Sequence, residues 1–213
     1  MIRIQTLRIA GLEEAIHAMR NPYDSWGMSD SMANESAGWA LGEKDRELSR
    51  KLFSAGSEHC KHLRLIDVWA DITAPRYWWT EADTYRAGVD KLSCSTMHTI
   101  TKREFTEDDF ADGDVILESG VLDLLNTWRI QYLAARQRGD SAGMQYWWRR
   151  IIVLLPQSYL QMRTMKMSYQ ALSAMYAQRK HHRLVEWHDF CDWVETLPYS
   201  ELILHPEQGP EQE

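Results

Sequence analysis

The segment HHRLVEWH, His181 to His188, sets His182 and Glu186 four residues apart. On a helix they share one face, with His188 about 200° further round. A metal site needs three or four converging ligands, and no H-E-x-x-H or C-x-x-C supplies the rest, so a polar helix face and no metal is expected. Glu58 and His59 form a titratable pair ahead of a strand-like run, with surface capping as the competing reading. Arg149 and Arg150 follow Trp147 and Trp148; neighbours on a helix diverge by about 100°, so only one of the pair can point into a site. Arg163, Lys166 and Gln170 stand at i, i+3 and i+7, a shared face if the segment is helical. Two cations and an amide there suit a phosphate and a base edge; a solvated face is the alternative. Trp78 and Trp79 are candidates for core or for a stacking platform. The P-loop, dinucleotide-binding and hydrolase-elbow glycine patterns are all missing from the sequence.

These residues need elements to hold them. Ile2 to Ile9 alternates as a strand, and Leu12 to Met19 has helical spacing with Glu13 and Glu14 in its first turn. Asn21-Pro22 stops that helix, and Tyr23 to Gly38 reads as a long loop. A helix is expected over Asp45 to Phe53, closed by Gly56, then a strand over His62 to Ile72, then a helix opened by Pro75. Val121 to Arg138 and Tyr146 to Leu155 read as helices, stopped by Gly139 and Pro156. Ser158 is expected to cap a long helix to about Lys180, and Leu184 to Leu197 a last one with Trp187, Cys191 and Val194 on one face. Strands early and helices late predict an α+β fold, a small antiparallel or mixed sheet from the N-terminal half packed with a helix-rich C-terminal half.

The chain has 213 residues, which suits one domain over 1–204. His205 to Glu213, with three glutamates and two prolines, reads as a disordered acidic tail. The uninterrupted aliphatic run Ile151 to Leu155 is far too short for a bilayer, and no secretory leader is evident. Three scattered cysteines, Cys60, Cys94 and Cys191, read as reduced thiols, so a cytoplasmic location is expected. The formal charge is −7, yet Arg129 to Arg183 carries ten basic residues and one acid, Asp140. That local excess suggests an anion-binding surface, whereas the overall acidity disfavours long duplex nucleic acid. A small phosphorylated ligand fits the charge better.

Four segments together resemble the flavin-dependent thymidylate synthases. AMRNPYDSW, Ala18 to Trp26, is similar to the end of that family's first helix. GSEHCKHLRLIDVWADITAPRYWW, Gly56 to Trp79, resembles its H-x-x-P-x-E-H loop, strand and helix, with Glu58 and His59 in the loop. RRIIVLLP, Arg149 to Pro156, is similar to its A-R-x-x-L-P segment, and HHRLVEW, His181 to Trp187, to its closing helix, with Glu186 at the glutamate. The order and spacing run through most of residues 1 to 195. The resemblance implies an α+β fold, a homotetramer, FAD between subunits, and methylation of dUMP using methylenetetrahydrofolate and a reduced nicotinamide. The departures are specific. Placed without gaps, the family's R-H-R falls on Thr80, Glu81 and Ala82, and its following serine on Asp90. The nucleotide-contacting arginine of a later N-x-R-x-L pattern falls on Gln170 of SYQAL.

The resulting expectation is a scaffold that binds a nucleotide, or a nucleotide-derived small molecule, without running the standard reaction. It would sequester or sense that ligand. Arg149 or Arg150, Arg163 and Arg179 would meet the phosphate, and Trp78, Trp79 or Tyr85 would stack on a base. Loss of R-H-R disfavours FAD, so the cofactor is none or FAD. The rival readings are an FAD-dependent methyl- or hydroxymethyl-transferase acting on a pyrimidine nucleotide, and an interaction protein without a small ligand.

Overall fold

The structure, a computed structural model, describes residues 2–34 and 38–204. The expected acidic tail lies outside the described residues. In chain order the elements are β1 (Arg3–Ala10), α1 (Leu12–Met19), β2 (Met32–Asn34), β3 (Gly38–Ala40), α2 (Glu43–Ser54), β4 (Asp67–Pro75), α3 (Arg76–Ala82), β5 (Val89–Ser93) and α4 (Thr96–Thr99). Then follow α5 (Gly113–Glu118), α6 (Val121–Gln137), α7 (Ser141–Leu154), β6 (Leu160–Ser168), α8 (Tyr169–Arg179) and α9 (Val185–Glu195). Four strands hydrogen-bond in the order β1-β4-β6-β5, and β2 and β3 form a separate antiparallel hairpin with Met32 opposite Ala40. The fold is α+β, as expected, but the sheet is not confined to the N-terminal half, since β6 comes from the C-terminal half.

The chain divides into two compact units. Among the described residues, the first comprises 2–3, 72–84 and 92–163; the second 4–34, 38–71, 85–91 and 164–204. In the first, α6 and α7 pack on each other, and Phe105, Phe110, Leu122, Leu125, Ile151 and Leu155 form a buried apolar cluster. Asp140 begins α7 by accepting a 2.8 Å hydrogen bond from the Gly143 amide, five residues before the expected start. In the second unit Ile16, Leu63, Ile66, Tyr169, Trp187 and Phe190 are buried. Gly11 precedes α1 with φ +89°, and a Cβ there would lie 2.0 Å from the Leu65 carbonyl oxygen, so only glycine fits. Arg20 and Asp45 are both buried and pair at 2.6 Å, while Ser29 and Ser31 give the same carboxylate further hydrogen bonds.

Three expectations are corrected. The Tyr23 to Gly38 loop contains a 3-10 turn at Trp26–Met28 and β2, and another 3-10 turn, Asn21–Tyr23, leads into it. The strand expected over His62 to Ile72 starts at Asp67, because Lys61–Arg64 is a 3-10 turn that buries Leu63 and leaves Leu65 exposed. The largest change is after Pro156. Residues expected in one long helix form β6 and then α8, and α8 is capped by Ser168, whose hydroxyl accepts from the Ala171 amide at 3.2 Å. Leu, Gln, Met, Arg and Lys all favour helix, yet pairing in the sheet overrides that preference and buries Met165 and Met167, two residues apart.

Candidate functional site

The change in element dissolves the shared face expected of Arg163, Lys166 and Gln170. Arg163 and Lys166 are three apart on β6, so their side chains leave opposite faces, and Gln170 sits on α8. Each has its own partners. Lys166 is 3.1 Å from Asp90 and 3.8 Å from Asp67. The bond to Asp90 is the main reason its ammonium is held above the usual lysine range. Gln170 accepts from Arg64 and donates to the Ser57 carbonyl at 3.3 Å.

Arg163 belongs to the first unit. Its Nη1 donates to both Asp83 oxygens at 2.9 and 3.1 Å, and its Nε donates to Gln161 at 3.1 Å. The guanidinium lies 4.4 Å over the Trp79 ring, a cation–π contact. This clamped arginine lines a cavity of about 270 Å³ with Arg76, Ser93, Ser95, Thr96, Met97, Ile152, Leu155 and Gln161. Arg76 is positioned by the start of α3, where its amide donates to the Tyr159 carbonyl at 3.1 Å. Two guanidinium groups, three hydroxyls and an amide line this cavity, and no carboxylate does. Such walls suit an anion with several acceptor oxygens.

Sequence reasoning reached Arg163 but missed Arg76, Ser93 and Ser95. The available signal was Pro75-Arg76, an arginine at the first position of a proline-opened helix. Of the tandem pair on α7, Arg150 stands over the rings of Tyr146, Trp128 and Trp147, at 4.5, 5.5 and 5.9 Å, and Arg149 is exposed. Trp78 and Trp79 are buried and meet edge to face at 4.8 Å, so they act as packing, with neither ring open for a base. In the second unit, the Tyr85 hydroxyl accepts from Arg179 at 2.8 Å and donates to Gln178 at 2.9 Å. Arg179 also lies 4.6 Å over Trp187. Glu186 is buried, while Glu58 and His59 are exposed, and His188 pairs with the His182 carbonyl at 2.7 Å. Among the described residues no group of three histidines, cysteines or acids is placed to hold a metal ion.

The positions matched to R-H-R lie on α3. Thr80 is exposed and donates to the Arg76 carbonyl at 3.0 Å, Glu81 contributes a carboxylate, and Ala82 is buried. A hydroxyl, a carboxylate and a methyl do not fit the pyrophosphate of FAD, which calls for cations.

The architecture is the fold of the flavin-dependent thymidylate synthases. The Helicobacter pylori flavin-dependent thymidylate synthase ThyX, solved with FAD and dUMP, superposes with a TM-score of 0.70 at 18% identity, covering 94% of this chain and 97% of that one. The UMP/dUMP methylase PolB from Streptomyces cacaoi, solved with 5-Br dUMP, gives a TM-score of 0.60 at 12% identity, covering 95% and 94%. No protein-family model matches the sequence, and no curated protein matches it significantly. The resemblance read from four short segments therefore holds at the level of the fold.

Proposed function

We propose that this chain binds a nucleotide and sequesters or senses it, without carrying out flavin-dependent methylation. The observation that supports this most directly is the carboxylate-free cavity lined by Arg76 and Arg163, in a fold whose solved examples include proteins crystallised with dUMP or its bromo analogue. The phosphate takes the two guanidinium groups, and Ser93, Ser95 and Thr96 offer hydroxyl donors. Asp83 pre-orients Arg163 and offsets part of its charge, so an incoming phosphate competes with that carboxylate. Calorimetry with dUMP, UMP and other mono-, di- and cyclic nucleotides tests the reading. Binding is expected below millimolar, and Arg76→Ala should weaken it by roughly 1.5–3 kcal/mol. Failure of every nucleotide to bind would leave the interaction-protein reading.

The second reading, an FAD-dependent transferase acting on a pyrimidine nucleotide, is favoured by FAD in the ThyX structure. The α3 residues argue against it. The protein is expected to purify without a visible flavin absorption band, since Glu81 near a pyrophosphate would cost about 1 kcal/mol or more. A stoichiometric yellow cofactor would reverse the preference between the two readings.

A further inference from the structure

The first unit holds a second and larger cavity, of about 420 Å³, that the nucleotide reading does not use. Its walls come from β4 (Thr73), the start of β1 (Arg3), the segment from Cys94 through α4 to Asp109, and the start of β6 (Tyr159, Leu160, Met162). The two cavities adjoin. Side chains alternate along a strand, so Leu160 and Met162 point away from the face that carries Arg163 against Trp79. Thr96 and Gln161 form the common wall, and Gln161 is tied in place by bonds to the Cys94 carbonyl at 3.0 Å and to Thr96 at 3.1 Å.

The chemistry of the larger cavity differs from that of its neighbour. Arg3, Lys102 and Arg103 are matched by Glu104, Asp108 and Asp109, so the walls carry no net charge. Asp109 is buried and takes both Nη atoms of Arg103, with the Thr106 amide donating at 2.9 Å, which fixes this side of the cavity. Ile100, Phe105, Leu160 and Met162 supply apolar surface. Tyr159 is half-buried, with Phe110 and Phe105 packed edge-on against its ring. Burial, and then the Asp109 charge, push its phenol up, so it remains a hydrogen-bond donor at neutral pH. A pocket of this size, with balanced charge, an aromatic wall and both donors and acceptors, suits a compact heteroaromatic without a phosphate.

We infer that this cavity is a second binding site, for a neutral heteroaromatic of nucleoside size whose edge carries both N–H donors and carbonyl acceptors. Glu104 and Asp108 receive the N–H groups, and Tyr159 and Lys102 meet the carbonyls. The inference stands apart from the phosphate cavity and survives if no nucleotide binds there.

Cys94 provides a native reporter, since it lines this cavity and is exposed, whereas Cys60 and Cys191 are buried. The experiment measures the rate at which N-ethylmaleimide modifies Cys94 in the full-length protein, by mass spectrometry. The probes are uridine, cytidine, adenosine and guanosine, with inorganic phosphate as the comparison. At least one nucleoside should slow modification about tenfold at saturation, phosphate should not, and the Asp108→Asn, Glu104→Gln double variant should weaken the protection about tenfold. Unchanged labelling with all four nucleosides at millimolar concentration would overturn the proposal. So would protection by phosphate alone, or protection that the double variant leaves intact.

Discussion

At the scale of single residues, the second unit keeps two titratable groups inside and treats them differently. Burial pushes the Asp45 carboxyl up, but hydrogen bonds from Ser29, Ser31 and Arg20 outweigh it and hold the group below its usual range. His62 has less help: its Nε2 meets Ser49 at 2.8 Å, its Nδ1 has no partner among the described residues, and burial lowers its pKa to about 4. A histidine depressed from 6.5 contributes stability that is fully present above pH 6.5, declines as the pH falls, and is lost below about 4. Between pH 7 and 5 this amounts to about 2 kcal/mol. Urea unfolding at the two pH values should show that loss in the wild type and a much smaller one in His62→Gln. Equal losses in both would contradict the assignment. The chemistry of individual side chains was partly legible in the sequence. Arg163 stood out by charge and spacing, but its partners Asp83 and Trp79 are about eighty residues away, so only the fold could reveal that it is clamped. The same holds for Arg150, whose ring partner Trp128 lies on a different helix.

At the scale of elements, local signals worked where local physics decides. Helices α1, α2 and α9 were readable from first-turn acids, turn residues and apolar spacing. The β6–α8 junction was not, because helix-favouring residues were drawn into a strand by partners distant in sequence. Burial of Met165 and Met167 at a spacing of two is the trace that such a strand leaves. That junction also has a tight requirement. Gly88, at φ +71°, accepts a 2.9 Å hydrogen bond from the Ser168 amide, and a Cβ there would lie 2.5 Å from the Ser168 hydroxyl that caps α8. Gly88→Ala therefore combines left-handed strain with a disturbed cap, and should cost about 2 kcal/mol. Gly27→Ala, with no atom within 4 Å of the added carbon, is the control and should be nearly neutral. A Gly88→Ala protein as stable as Gly27→Ala in urea would show that the junction can relax.

At the scale of the molecule, the acidic total hides the basic stretch from Arg129 to Arg183, yet the charge count could not say which cations meet. Arg163 falls in one unit, and Lys166 and Arg179 in the other. The first unit also exposes Leu92, Val115, Ile130 and Val153, each more than half accessible. We propose that these apolar side chains are covered in a homo-oligomer. Sedimentation at micromolar concentration should show a species larger than 25.0 kDa; a clean monomer would contradict it.

The proposed nucleotide site is the cavity that Arg163 shares with Arg76. The direct test is calorimetric titration of the full-length protein with a nucleotide panel, comparing Arg163→Ala with Arg138→Ala, a cation at the exposed end of α6. At least one nucleotide should bind below millimolar, Arg163→Ala should weaken it about ten- to a hundredfold, and Arg138→Ala should leave it unchanged. No binding at millimolar concentration, or equal affinity in the two variants, would contradict it.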